Sequence, residues 1–255
     1  MSPVLENKVA IITGAGRGLG KAFALRYAEE GAKLLLPDIS LERSENTAKE
    51  IRDKGGEAVA MLTDISDEKA SKEMAEKVMQ LYGRVDILLN NAAFLEGVEP
   101  SPWDTWTVEV WDKIFSVNVR GTWLCCKAIA PLMVKESRGK IINIASDVIK
   151  LPSTQSLLPY ACSKAAVYTL TQGLARALGP SGINVNAIAP GLTATETVKA
   201  LPDSHKMFED TLEIQCIKRR EEPEDLVGTA VFLASEDSNF ITGELFFVNG
   251  GAVMV

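Results

Sequence analysis

The segment that most narrows what this chain can fold into is KVAIITGAGRGLGKAFALRYAEEG, residues 8–31. KVAIIT is short, apolar and rich in β-branched residues, the signature of a buried strand. TGAGRGLG follows at once, Thr13 to Gly20, and its glycines favour a tight turn. Ala22, Leu25 and Ala28, with the Phe23–Tyr27 pair, then recur at helical spacing, and Gly31 marks a C-terminal cap. Strand, glycine turn and helix in succession form the context of a dinucleotide-binding fingerprint. The glycines let the backbone approach a diphosphate, and the helix N-terminus offers free N–H groups and a positive dipole end. The spacing, Gly14 then Gly18 and Gly20, is wider than the common G-x-G-x-x-G. Taken alone, the glycines would also suit an ordinary tight turn; the flanking strand and helix favour cofactor binding.

The alternation started there continues along the chain. Strands are predicted at 8–13, 33–37, 58–62, 86–90, 139–145, 183–188 and 245–248, and helices at 18–30, 41–54, 67–82, 107–136, 159–178 and 223–234. This is the pattern of an α/β fold: a Rossmann-type, doubly wound parallel sheet of about seven strands with helices on both faces. No repeat or linker interrupts it, so 1–255 reads as a single domain. Residues 190–222, with one helix-like stretch over 204–215, form a long segment starting just past a strand's C-terminal end. Such a segment at that edge of an α/β sheet suits a substrate lid, although a packed structural excursion would look the same.

Composition removes several function classes. The net charge is −7 and no basic run exists to track a phosphate backbone, which argues against nucleic acid as a partner. No stretch reaches the apolar length that spans a bilayer, and MSPVLENK has neither a basic nor a long apolar segment, so a cytoplasmic location is expected. The four cysteines have no metal-site spacing, and His205 is the single histidine, so neither a histidine zinc site nor a Ser–His–Asp triad is expected. Cys162 lies about 200° around the helix from Tyr160 and reads as an idle thiol.

Chemistry concentrates in PYACSKAAV. Tyr160 and Lys164 are one helical turn apart and share a face. An ammonium beside a phenol favours the phenolate, which would turn a group titrating near pH ~10 into a usable general acid/base. Ser146 stands upstream at the end of the strand-like run KIINIAS, and Asn118 earlier still.

In order along the chain these pieces are TGAGRGLG, Asp64 after the third strand, NNAA at 90–93, Asn118, Ser146, Tyr160, Lys164 and PGLTAT at 190–195. Together they resemble the short-chain dehydrogenase/reductase family of the common, roughly 250-residue type, over nearly the whole chain. The chain departs from the family pattern at Ala93, where glycine is usual, and has longer stretches at 94–107 and between Ser146 and Tyr160. The resemblance implies an oxidoreductase with a catalytic tetrad. Tyr160 exchanges a proton with the substrate oxygen. Lys164 lowers the Tyr160 pKa and binds nicotinamide ribose. Ser146 steadies the substrate oxygen, and Asn118 holds a water leading to Lys164.

For the cofactor the resemblance implies Gly14, Arg17, Gly18, Leu19 and Gly20 at the pyrophosphate, and Asp64 and Ile65 at adenine. It also implies Asn91 and Ala92 in NNAA, with Asn90 on the ribose side and in the sheet. Pro190, Gly191, Thr193 and Thr195 are implied near the nicotinamide. Asp38, ending LLLPD, can accept from both adenosine ribose hydroxyls. It would repel a 2′-phosphate, and the next residues, Ile39 and Ser40, provide no cation. Arg17 argues the other way. The balance favours NAD over NADP, and with NAD the direction of alcohol oxidation.

The walls of the expected pocket come from 93–106, 147–158 and 192–215, with Phe94, Trp103, Trp106, Val148, Leu158, Leu192, Met207 and Phe208 among them. Their apolar character points to a hydrophobic or aromatic secondary alcohol or its ketone, in the manner of phenylethanol-type dehydrogenases. Asp147 and Glu96 would discourage a carboxylate substrate if they face it. A 3-oxoacyl-[acyl-carrier-protein] reductase and a non-catalytic dinucleotide sensor share this fold. Asp38 weighs against the first and the intact tetrad against the second. The apolar end FITGELFFVNGGAVMV and the family habit imply a homotetramer.

Overall fold

The computed structural model describes residues 3–95, 98, 100–201 and 203–254, with the backbone alone at 152–154. Seven strands form one parallel sheet: β1 Val9–Ile12, β2 Lys33–Asp38, β3 Glu57–Leu62, β4 Ile87–Asn90, β5 Gly139–Ile144, β6 Ile183–Pro190 and β7 Leu245–Val248. Their order is β3-β2-β1-β4-β5-β6-β7. The chain runs outward from β1 to β3, then crosses back to β4 on the other side of β1, so the strand order reverses between β1 and β4. Ligands of open α/β sheets bind outside the carboxyl ends of the strands at such a reversal.

Strict alternation along the strands fills both faces. Ala10 and Ile12 of β1 enter one core, with Phe23, Tyr27 and Leu226, while Val9 and Ile11 enter the other, with Met74, Val78, Ile129 and Met133. The first layer comprises α1 Gly18–Glu29, α2 Leu41–Asp53 and α9 Glu224–Ala234. Tyr27, fully buried, donates its hydroxyl to the Ala230 carbonyl at 2.8 Å and so ties α1 to α9. The second layer comprises α3 Glu68–Tyr82, α5 Thr122–Lys135 and α6 Leu158–Leu178.

The expected helix over 107–136 is not one helix. Thr107 caps α4 Val108–Phe115, a π-helical turn covers Ser116–Gly121, and α5 follows. Two fixed contacts mark the wide turn. Asn118 bonds across to Phe94, and Gly121 presses on Ile65, where a Cβ would lie 2.8 Å from that side chain. A π turn adds a residue to the repeat, and a reading made with one α-helical period over 107–136 passes across it. The described residues of 190–222 carry two helices rather than one, α7 Glu196–Lys199, capped by Thr195, and α8 Ser204–Ile214. Among the described residues no helix is long and apolar enough to cross a membrane.

Candidate active site

The glycine turn leaves β1 at the strand-order reversal. Gly14 has φ +67°, and a Cβ there would come within 2.9 Å of the Ala92 backbone. At Gly20 a Cβ would meet the Gly14 carbonyl at 2.0 Å, so only glycine lets α1 pack on its own turn. Arg17 is the N-cap of α1 and places no side-chain cap on its first amides, at Gly18, Leu19 and Gly20. That end can receive an anion. Asn91 donates its amide to the carbonyls of Thr13 and Gly14 at 3.0 and 3.2 Å, and Thr13 Oγ1 accepts the backbone N–H groups of Asn91 and Ala92. These residues brace the turn against β4. Asn90 joins β4 to β5 through Asn143 at 2.9 Å, a sheet contact.

Asp38 ends β2 almost fully buried. Its two oxygens accept the N–H groups of Gly16 at 2.9 Å and Ser40 at 2.8 Å. That fixes the carboxylate beside the turn, with a lone pair on each oxygen to spare. Ile39 lies next to it, 62% exposed, an apolar surface suited to a base. Sequence reasoning missed Arg43, whose guanidinium is 3.7 Å from Asp38 on the first turn of α2. The signal was a cation just after the Ser40 cap. Asp64 accepts from the Ser66 N–H and hydroxyl at 2.9 and 2.6 Å. Burial works to raise its pKa, but these bonds, with Lys113 and Arg120, hold it below the ordinary carboxylate value. Ile65 is buried against Gly121.

The four candidate catalytic residues converge on one corner. Lys164, 3% exposed, reaches under α6 to donate Nζ to the Ile144 carbonyl at the end of β5, at 2.7 Å. Nζ lies 5.6 Å from the centre of the Tyr160 ring. The Tyr160 hydroxyl lies near enough to Ser146 for the serine to favour its ionised form. Ser146 Oγ also accepts the Val148 N–H at 3.3 Å, which turns the chain after β5. Asn118 joins the group through a residue the sequence reading overlooked. Its Nδ2 donates to Ser163 Oγ at 3.0 Å, and Ser163 donates to the Tyr160 carbonyl at 2.7 Å. Asn118 Oδ1 accepts the Phe94 N–H at 2.7 Å. The Asn118 amide is thus committed to Phe94 and Ser163 rather than turned toward Lys164.

The electrostatics correct the simple expectation for the phenol. Burial pushes Tyr160 above its ordinary pKa, Ser146 opposes this, and nearby Asp147 adds to it. Burial also lowers Lys164, to about 8. In the chain by itself, desolvation prevails at the phenol.

Beside the tetrad lies a buried acidic pair without an ion-pair partner among the described residues. Asp147 accepts from Asn249 Nδ2 at 3.2 Å, and burial raises its pKa to about 6. Glu221 accepts from Thr193 Oγ1 at 2.6 Å and from the Gly191 N–H at 3.3 Å, and burial raises it to about 7. Gly191 and Thr193 continue from Pro190, the last residue of β6, and Thr195 caps α7. A Cβ on Gly18 would meet Thr195 at 3.4 Å, so the glycine turn faces this segment across the crevice.

Of the expected walls, Val148 is buried and Phe208 belongs to the interior, under the Arg220 guanidinium. Trp103 is 71% exposed and Trp106 partly buried. Glu96 lies outside the described residues. His205 is exposed on α8.

The profile of a family described as enoyl-(acyl carrier protein) reductase matches residues 14–253. The chain is 38% identical over 248 residues to a (2S)-[(R)-hydroxy(phenyl)methyl]succinyl-CoA dehydrogenase subunit of Thauera aromatica, covering 97% of each. It is 35% identical to the 3-oxoacyl-[acyl-carrier-protein] reductase of Thermotoga maritima, covering 98% of this chain and 99% of that one. Among solved structures, a levodione reductase superposes with a TM-score of 0.91 at 30% identity, over 96% of this chain and 97% of the other.

Proposed function

The chain belongs to the short-chain dehydrogenase/reductase family of oxidoreductases, which bind a nicotinamide cofactor, and from this premise we propose that it is an NAD-dependent dehydrogenase of hydrophobic or aromatic secondary alcohols. The observation that carries the reading is the buried corner where Lys164 is anchored on Ile144 beneath Tyr160 and the Tyr160 hydroxyl meets Ser146.

In this reading Tyr160 takes the proton of the alcohol, or returns it to the ketone, and Ser146 donates to the same oxygen to steady developing charge. The bound dinucleotide supplies the hydride acceptor or donor and, when oxidised, a positive charge that favours the phenolate. Lys164 binds ribose hydroxyls and adds its own charge from below. Asn118 sets the corner through Ser163. Gly14, Arg17, Gly18, Leu19 and Gly20 hold the pyrophosphate, braced by Asn91 and Ala92. Asp38 holds the ribose, with Ile39, Asp64 and Ile65 at the adenine. Pro190, Gly191, Thr193 and Thr195 shape the nicotinamide end. Residues 190–222 act as the lid of a single domain. We assign the protein to the cytoplasm, as a homotetramer built through α9 with β7 and through α4 to α6, where Trp111 and Trp123 are exposed.

A substrate panel of aryl and alkyl secondary alcohols, read by NADH absorbance, tests this. Turnover of aromatic alcohols with NAD is expected, and no turnover of any alcohol or ketone with either dinucleotide would sink the reading. A second reading, an NADP-dependent 3-oxoacyl thioester reductase, draws support from Arg43 beside Asp38 and from the Thermotoga relative. Reduction of acetoacetyl thioesters with NADPH, faster than any alcohol oxidation, would select it.

A further inference from the structure

After β6 the chain enters Gly191–Thr195, which belongs to no strand or helix. Its own turns are tight: the Thr193 N–H bonds the Gly191 carbonyl at 3.0 Å, and the Thr195 N–H the Thr193 carbonyl at 2.8 Å. What fixes it from outside is chiefly one residue, Glu221. The Glu221 carbonyl accepts the Ala194 N–H at 2.8 Å. Its carboxylate spans the bend, Oε1 taking the Thr193 hydroxyl at 2.6 Å and Oε2 the Gly191 N–H at 3.3 Å. The side chain is 7% exposed, in a run, RREEPED, that reads as solvent-facing charge. Placing a carboxyl there costs desolvation and needs its acceptors used. A carboxylate offers a separate acceptor oxygen to each of these two donors, where an amide offers one oxygen.

We propose that Glu221 is a positioning residue, a clasp that holds Gly191–Thr195 in the shape that receives the nicotinamide half of the dinucleotide. The inference rests on the assignment of that segment to the nicotinamide end. Glu221 acts through Gly191 and Thr193. Loss of the carboxylate leaves the fold intact: Gly191 keeps a bond to the Val248 carbonyl at 3.2 Å, the Thr193 hydroxyl can turn to the Gly191 carbonyl at 3.4 Å, and Ala194 keeps its bond to the main chain of residue 221. Burial lifts the carboxyl to about 7, and Asp147 after β5 and Asp225 on α9 push the same way, while Arg219 on the same loop is a nearby cation. Deprotonation supplies the second acceptor, so the clasp tightens as pH rises through 7.

Isothermal titration of the purified chain with NAD and, separately, with ADP-ribose tests this, because ADP-ribose lacks the nicotinamide. For Glu221→Ala we expect the NAD Kd to rise at least tenfold while the ADP-ribose Kd stays within twofold. Glu221→Gln should fall between and lose the wild-type tightening of NAD from pH 6 to pH 8. Thermal melts check folding, and if Glu221→Ala does not fold, Glu221→Gln and Thr193→Val carry the comparison. Equal weakening of both ligands, or of neither, overturns the clasp and leaves the cofactor site standing. Wild-type protein that binds neither ligand overturns the cofactor site, and the clasp with it.

Discussion

Lys164 Nζ sits 2.7 Å from the Ile144 carbonyl, so the buried ammonium of α6 is anchored to the last residue of β5, two positions before Ser146. The helix that presents Tyr160 and the strand end that presents Ser146 are thereby locked together. A charge 3% exposed that rests on a carbonyl and against the Tyr160 ring, with no carboxylate partner among the described residues, is costly, which is why burial takes Lys164 down to about 8. Such a cost persists at sites where function demands it.

Removing the phenolic oxygen should separate chemistry from binding. Tyr160→Phe keeps the ring and deletes the group that meets Ser146. Turnover should fall by a factor of about 10² to 10⁴, the usual worth of a general acid/base, while NAD titration gives an unchanged Kd. Retention of most of kcat at neutral pH would refute the assignment.

The cost of Lys164 should be visible in melting curves. Its folded pKa, about 8, lies below the ordinary lysine value of 10.5, so the folded state gains stability as pH climbs from 8 toward 10.5 and lacks it at pH 7. At pH 7 the deficit is on the order of 3 kcal/mol. Lys164→Met should abolish turnover yet raise the pH 7 melting temperature by several degrees, with the gap to wild type closing by pH 10. A lower melting temperature for the variant at pH 7 would count against it.

Glu221 and Asp147 act in the opposite window. Their folded pKa values, about 7 and about 6, stand above ordinary carboxyl values, so their contribution is present below pH 4 and is lost as pH rises through 6 to 7. Glu221→Gln should therefore match wild type near pH 4.5 and be the more stable protein at pH 8, by about 1–3 kcal/mol after the lost hydrogen bond is counted. Urea melts at the two pH values measure this, and a constant difference would contradict it.

Cofactor choice turns on two side chains of opposite sign. Asp38→Ala with Ile39→Arg should move kcat/KM toward NADP by at least tenfold, since the carboxylate that repels a 2′-phosphate is gone. Arg43→Ala should lower any residual NADP activity and spare NAD. Wild-type protein that uses both dinucleotides equally would show that Arg43 already offsets Asp38.

The two tryptophans of the loop before α4 should behave differently. Trp103 is 71% exposed, whereas the Trp106 indole N–H is buried and makes no hydrogen bond among the described residues. Trp106→Ala should raise KM for bulky alcohols far more than for small ones. Trp103→Ala should leave that profile unchanged, with any effect confined to gel-filtration behaviour. The reverse pattern would place Trp103 in the pocket.

Local rules were enough for much of this protein. The β-branched runs, the helical spacing and the glycine turn located all seven strands and most helices, because parallel strands buried on both faces leave continuous apolar stretches. Tyr160 and Lys164 could be paired because i and i+4 share a helix face. Other features depended on contacts distant in sequence. The π turn at Ser116–Gly121 exists where Asn118 meets Phe94 and Gly121 meets Ile65, 56 positions away, and a single α-helical period passes across it. Arg43 is close to Asp38 in sequence, but that its side chain leans toward the carboxylate is set by the course of the first turn of α2. Glu221, in a run of charges that reads as solvated surface, becomes a buried acceptor because a bridge pairs it with Thr193. The raised pKa of Tyr160 was likewise invisible, since spacing sets which groups are neighbours but only burial decides whether neighbour or desolvation prevails.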